Sequence, residues 1–274
     1  MELGVELTFG IFAVLAIAGF LAGVVTGLAG ASAATVVTPL LVSFTPIAAF
    51  TAIAISLITD VSASFFSFLT YKKNGNVNIK DGIPLTIAAC IGSVIGTALS
   101  TYIGDSLGAL GGFMTFILGL NFLRKGFTLR KNMKAGIVPE EKPKSKLSEY
   151  NPVVLSSVLG VILGLVCGIV GAGGGLMILF VLTTVLNYDT KMAIGTSVLI
   201  MTFTALTGGI AHFFHMSGVN FVALGLAMVI TSFFAIIGAK VSAAFANKTS
   251  EDILLIIVGA TFTILTMLMI ISKL

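Results

Sequence analysis

Gly23-Val24-Val25-Thr26-Gly27-Leu28-Ala29-Gly30-Ala31 returns 141 residues later as Gly164-Leu165-Val166-Cys167-Gly168-Ile169-Val170-Gly171-Ala172, with its three glycines and final alanine in register. Each stretch interrupts strongly apolar sequence. A glycine inside a helix costs up to about 1 kcal/mol relative to alanine, so clustered glycines in an apolar segment mark a helix that breaks. One such break in each half of a membrane chain is the sequence pattern of a transporter binding site.

The chain around the pair has a membrane composition. It is 57% hydrophobic and 9% charged, with a mean hydropathy of +1.13, whereas soluble domains carry roughly a quarter charged residues. Apolar runs of about 20 residues point to helical spans, and the alternation of a β-barrel strand is absent. Met1 to Glu6 carry no basic residue, so the first apolar run is expected to stay in the mature protein. Cys90 and Cys167 sit in apolar runs and form neither a disulfide framework nor a metal motif. The net charge of +4 comes from basic residues beside spans. That is a topology signal and no sign of nucleic acid.

Ten hydrophobic elements are expected, near 8–30, 33–45, 46–70, 83–103 and 107–123, then 153–171, 174–187, 190–212, 219–246 and 253–272. The second element of each half reaches only about 20 Å at 1.5 Å per residue, short of a ~30 Å hydrocarbon core. It enters partway or forms half of a broken helix. Residues 1–123 read as a first membrane repeat, 124–150 as a basic, partly helical cytoplasmic linker and 151–274 as a second repeat. At the same offset of 141, Ala52-Ile53-Ala54-Ile55-Ser56 lies on Ala193-Ile194-Gly195-Thr196-Ser197. At 142, Val77-Asn78 lies on Val219-Asn220 and Ile95-Gly96 on Ile237-Gly238.

Lys and Arg set the orientation. Eleven of the fifteen fall in residues 72–146, in two loops two spans apart, which puts both loops in the cytoplasm. Inverted halves place fourteen basic residues inside and Lys273 outside; parallel halves place twelve inside and three outside. Inversion is favoured, with both termini external.

Non-helical backbone is tolerated at membrane depth only where protein or a watery cavity satisfies it. Gly27-Leu28-Ala29-Gly30-Ala31-Ser32 and Gly168-Ile169-Val170-Gly171-Ala172-Gly173-Gly174-Gly175 are the candidates, with Gly30-Ala31-Ser32 and Gly171 to Gly175 as the binding residues. Glycine frees backbone N–H groups and admits close approach, and a helix opening at Gly173–Gly175 would aim its positive end at an anion. Gly-x-x-x-Gly also packs helices, and Gly164 and Gly168 suit that role. Ser56, Thr196 and Ser197 lie one helix later and offer hydroxyl donors, or bond their own helix carbonyls. Asp60 is the one acid well inside an expected span. It shares a face with Ser56 at i, i+4, and an ionisable group there is a proton-coupling candidate or a hydrogen-bonded structural Asp. Its mate at offset 141 is Met201. His212 and His215 read as interfacial and Cys167 as a packing residue. Asn121 and Lys240 read as snorkelling, with Lys240 able to attract an anion at the inner mouth.

These residues resemble the TauE/SafE family of sulfite and organosulfonate exporter-like permeases. The likeness rests on Gly168-Ile169-Val170-Gly171-Ala172-Gly173-Gly174-Gly175, then Ala193-Ile194-Gly195-Thr196-Ser197 and Gly208-Gly209-Ile210-Ala211-His212. It extends in layout over nearly the whole chain. Ala31-Ser32-Ala33-Ala34 departs from it, where a typical member has more glycine. The resemblance implies outward transport of small sulfur-containing anions.

The reading is an all-α polytopic membrane protein of two inverted five-element repeats with short broken or re-entrant helices near the midplane. Its partners are a small anionic substrate and the lipid bilayer of the cell membrane, with no cofactor, metal or nucleic acid; a homodimer is compatible with it. An anion channel and a membrane-embedded enzyme are the alternatives. The chain has no Gly-x-x-x-x-Gly-Lys-Ser/Thr motif, so a gradient is expected to supply the energy.

Overall fold

Lipid offers no hydrogen bonds to a backbone, so a chain this apolar satisfies its peptide groups by coiling them. The computed structural model describes residues 8–103, 106–135, 152–170, 174–214 and 220–271, and every element among them is helical. The first half comprises α1 (Phe9–Ala29), α2 (Ala34–Phe44), α3 (Ala49–Lys73), α4 (Ile79–Ile103) and α5 (Ser106–Lys134). The second comprises α6 (Pro152–Val170), α7 (Gly174–Phe180, continued by a π-helical Val181–Val185), α8 (Thr190–Phe214), α9 (Phe221–Lys248) and α10 (Glu251–Ile271). Five stretches of the described residues are long and apolar enough to cross a membrane: Phe9–Ala29, Ala49–Lys73, Ile79–Gly96, Thr190–Phe214 and Phe221–Lys248. Short second elements are present in both halves. The fifth runs to Lys134, so the start of the expected 124–150 linker is helix; 136–150 lie outside the described residues.

The bundle puts small and polar residues inside and large apolar ones outside. On α9, Val222, Val229, Phe233, Val241 and Phe245 are exposed, whereas Thr231, Ala235, Ala239 and Ala243 are fully buried. That is the distribution expected where lipid is the solvent and close backbone approach holds helices together.

The packing is related to itself by exchange of the halves. Helix α1 packs on α9 as α6 packs on α4, α3 packs on α9 as α8 packs on α4, and α3 meets α8 and α5 meets α10 across the relation. The glycine contacts show it residue by residue. Gly19 and Gly23 of α1 face the backbone of Thr231 and Ala235, as Gly160 and Gly164 of α6 face Leu85 and Ala89. In return Gly238 faces Phe20 and Gly92 faces Val161.

These pairs correct one expectation. The partner of Gly238 is Gly92, at an offset of 146, and not Gly96 at 142. The offset of 142 holds only where α4 and α9 begin, with Asn78 Oδ1 accepting from Asp81 N–H and Asn220 Oδ1 from Val222 N–H. Helix α9 therefore has one extra turn between its cap and its packed glycine. A turn of helix returns side chains to nearly the same face, and small residues recur at that spacing, so matching by identity chose the wrong turn.

Three connections meet at one end of the bundle. Asn78 Nδ2 donates to Asp81 Oδ2 and to the Tyr188 hydroxyl, both at 2.8 Å, and that hydroxyl donates to Asp81 Oδ2 at 2.7 Å. Asn76 Nδ2 donates to Asn247 Oδ1 at 2.6 Å, Lys191 Nζ to the Asn247 carbonyl at 2.8 Å, and the Thr190 hydroxyl to Glu251 at 2.8 Å. Burial, and then the Asp81 carboxylate beside it, raise the Tyr188 phenol above its ordinary range, so it remains a donor at physiological pH. The α3–α4, α7–α8 and α9–α10 connections thus lie on one side.

A Cβ at Gly164 would overlap the Ala89 carbonyl, whereas nothing lies within 4 Å of one at Gly225. Gly164→Val is expected to cost about 1–3 kcal/mol or more through overpacking. Gly225→Ala is expected to be neutral or stabilising by up to about 1 kcal/mol. Unfolding of the purified variants in detergent checks both.

Candidate functional site

The first break is built by Gly30 and closed by Asp60. Gly30 takes φ 60° and ψ 28°, in the left-handed region that ends a helix, and its N–H reaches the Thr26 carbonyl at 2.9 Å. The Thr26 hydroxyl then donates to the Ala31 carbonyl at 2.8 Å. Helix α2 starts four residues later, at Ala34, and its N-cap residue, Ala33, has no side chain that could cap it. The cap comes from α3: Asp60 Oδ1 accepts from the Ala33 N–H at 3.0 Å, and Oδ2 accepts from the Ser32 hydroxyl at 2.7 Å. Ser32 Oγ in turn accepts from the Ala34 N–H at 3.3 Å. All of these residues are buried.

Asp60 and Ser56 are both buried on α3, as a shared face requires, and their side chains go to different partners. The carboxylate belongs to the break, and Ser56 donates to the Ile53 carbonyl of its own helix at 2.7 Å.

Gly171, Ala172 and Gly173 lie outside the described residues. The part of the second break that is described begins with α7 at Gly174, and Gly175 lies directly against the Gly30 carbonyl and the Met201 sulfur. Gly30 in turn lies against Ser197 Oγ, with Ile194 beside it. The breaks, 141 residues apart in sequence, therefore back onto each other, flanked by the middle of α8. A Cβ at Gly175 would overlap the Gly30 carbonyl, and Gly30 itself is held in the left-handed region that disfavours a side chain.

The three hydroxyls expected at the site separate. Ser197 is at the break and donates to the Ile194 carbonyl at 2.8 Å. Thr196 faces the start of α4, where its hydroxyl accepts from the Asn78 N–H at 3.1 Å. Ser56 stays on its own helix. His212 is bound at the start of α3, with Nε2 2.8 Å from the Phe50 carbonyl and its ring stacked on Phe50; His215 lies outside the described residues. The Lys240 ammonium sits over the Phe66 ring, 4.6 Å from its centre. Among the described residues, no three His, Cys, Asp or Glu side chains gather to hold a metal.

A polar seam along α3 was missed. Ser56, Thr59, Asp60, Ser64, Ser67 and Tyr71 are all buried. Thr59 donates to the Thr231 hydroxyl of α9 at 2.9 Å, Ser64 accepts from the Thr202 hydroxyl of α8 at 3.0 Å, and the Tyr71 hydroxyl donates to the Gly27 carbonyl at 2.9 Å. The Ser67 hydroxyl is buried without a hydrogen-bond partner among the described residues. The signal was available: polar residues at 56, 60, 64, 67 and 71 follow helical spacing. Here the polar stripe marks the inside.

Comparison with known proteins points to membrane transport. The chain is 29% identical over 222 residues to the probable membrane transporter protein YdhB of Bacillus subtilis (strain 168), covering 81% of this chain and 86% of that one. It is 24% identical over 263 residues to the probable membrane transporter protein ORF9 of Sinorhizobium sp, covering 94% and 93%. It is 26% identical over 258 residues to the probable membrane transporter protein YunE of Bacillus subtilis (strain 168), covering 90% and 92%. No solved structure gives a significant match. The model of the sulfite exporter TauE/SafE family matches residues 15–273, nearly the whole chain, and the protein belongs to that family of multi-pass membrane transporters.

Proposed function

We propose that this transporter exports small sulfur-containing anions, sulfite or short organosulfonates, through a site between its two breaks near the bilayer midplane. The observation that carries the reading is the contact of Gly30 with Gly175 and Ser197. It joins the two places where backbone leaves the helix, beside the middles of α3 and α8. Freed N–H groups and nearby hydroxyls suit an oxyanion, which needs several donors and no fixed cation. In this reading Gly30, Ala31, Ser32 and Gly171 to Gly175 form the walls. Ser197 turns its hydroxyl from Ile194 toward the substrate, and Ser56 and Thr196 support from the adjoining turns.

The halves are inverted in this proposal. The support is the joining of the α3–α4, α7–α8 and α9–α10 connections at one end, because inversion puts those three on one side and parallel halves do not. With that side in the cytoplasm, fourteen of the fifteen basic residues are cytoplasmic and both termini external. Rocking of one half against the other alternates access. Asp60, in the middle of α3, is where a proton would act on the cycle, since it ties α2 to α3 at the first break.

Proteoliposomes of the purified protein, tested with sulfite, sulfate, thiosulfate, sulfoacetate, taurine and carboxylate analogues at two pH values, check the substrate. Sulfite or sulfonates are expected to be carried in preference to matched carboxylates; an equal response to all anions sinks the substrate class. Gly175→Ala is expected to lower transport about tenfold or more, about 1.4 kcal/mol, while the variant keeps a wild-type elution profile. Asp60→Asn is expected to abolish the response to an imposed proton gradient. Wild-type gradient dependence in that variant removes Asp60 from the coupling.

A further inference from the structure

We propose that Asp60 is a tethered anion: its carboxylate fills, at the N-terminus of α2, a built pocket that a free carboxylate or small oxyanion would otherwise occupy. Helix α2 has eleven residues; its Ala34 and Thr35 N–H groups go to Ser32 Oγ and the Ser32 carbonyl, which leaves the Ala33 N–H just ahead of them, and the positive dipole end, to an anion. The anion is supplied from another helix. Each Asp60 oxygen takes one donor, Ala33 N–H at 3.0 Å and Ser32 O–H at 2.7 Å, as a bound carboxylate would be held. The pocket is buried, with Asp60 3% exposed, Ser32 6%, and Ala31 and Ala33 0%. No Lys or Arg precedes Lys72, so on α1 and α2 the partner of the charge is the helix end and its hydroxyl.

The second half provides an internal comparison. At the offset of 141 that aligns the breaks, Ser32 corresponds to Gly173 and Asp60 to Met201. The carboxylate and the hydroxyl that orients it are absent together, as expected if they form one device. A thioether replaces the acid, and its sulfur lies against Gly175. The α2 end behind the first break is therefore filled by the chain's own carboxylate, apart from the side of Gly30 that faces Gly175 and Ser197, and α2 cannot part from α3 without vacating this pocket. The second consequence matters for a transport cycle and rests on the function proposed above; the existence of the pocket does not.

The test uses formate, which replaces the group that Asp60→Ala deletes. The purified full chain in detergent is titrated with sodium formate at constant ionic strength while its thermal unfolding is followed. Asp60→Ala is expected to unfold at a lower temperature than wild type and to regain at least half the loss saturably with formate. Wild type and Asp60→Asn, whose pocket is filled, are not expected to respond. Adding Ser32→Ala to Asp60→Ala is expected to weaken the formate response about tenfold, the loss of one charge-assisted hydrogen bond. A formate response in Asp60→Ala no larger than in wild type, or an equal one in Asp60→Asn, overturns the proposal. If Asp60→Ala does not fold even in formate, the double-mutant cycle of Ser32→Ala and Asp60→Asn decides. Non-additive losses support the contact and additive losses overturn it. Wild-type protein that carries no sulfur anion would refute the transport reading and leave the formate result standing.

Discussion

Backbone that leaves a helix inside a bilayer must find every hydrogen-bond partner within protein, and the corner from Gly30 to Ala33 shows what meeting that demand requires. The turn uses a left-handed glycine, a threonine hydroxyl from the preceding turn, and a carboxylate from a different helix. Each lies where the others need it. Thr26 closes onto Ala31, Ser32 orients Asp60, and Asp60 caps α2. The alternative, a bare helix end in hydrocarbon, would cost several kcal/mol per unsatisfied group. The close approach of α1 to α9 and of α4 to α6, through glycine and alanine, builds the protein interior that surrounds such a corner.

Much of the architecture could be read from composition and period alone. Ten elements, two of them short, follow from apolar run lengths, because in lipid the length of a run and its role as a span are nearly the same thing. The repeat was visible because the glycines that pack α1 on α9 and α6 on α4, Gly19 and Gly23 against Gly160 and Gly164, stand at one offset. Its registration in α4 and α9 was not, because a slip of one turn between Gly96 and Gly92 preserves both residue type and helix face. Only contact with a third helix distinguishes the two registers.

The candidate site was legible in its parts and not in its assembly. Asp60 is conspicuous as a lone acid, but spacing along α3 connects it to Ser56. Its contact with Ser32 depends on how α2 folds back after the break, a three-dimensional matter that no local pattern encodes. Thr196 and Ser197 are neighbours in sequence and point to different places, one to the start of α4 and one to the break. The stripe from Ser56 to Tyr71 was readable and was passed over, since a polar face on a helix ordinarily marks the outside. The halves thus share a frame and differ at its centre, where one carries Ser32 and Asp60 and the other Gly173 and Met201.

The central claim is that substrate lies where the breaks meet. A density map of the protein saturated with a small sulfonate tests it most directly. The account predicts ligand density in contact with Gly30, Gly175 and Ser197, close to the middles of α3 and α8. Ordered ligand confined instead to the basic face of α5 around Arg124 and Lys125, with the break empty, would contradict it.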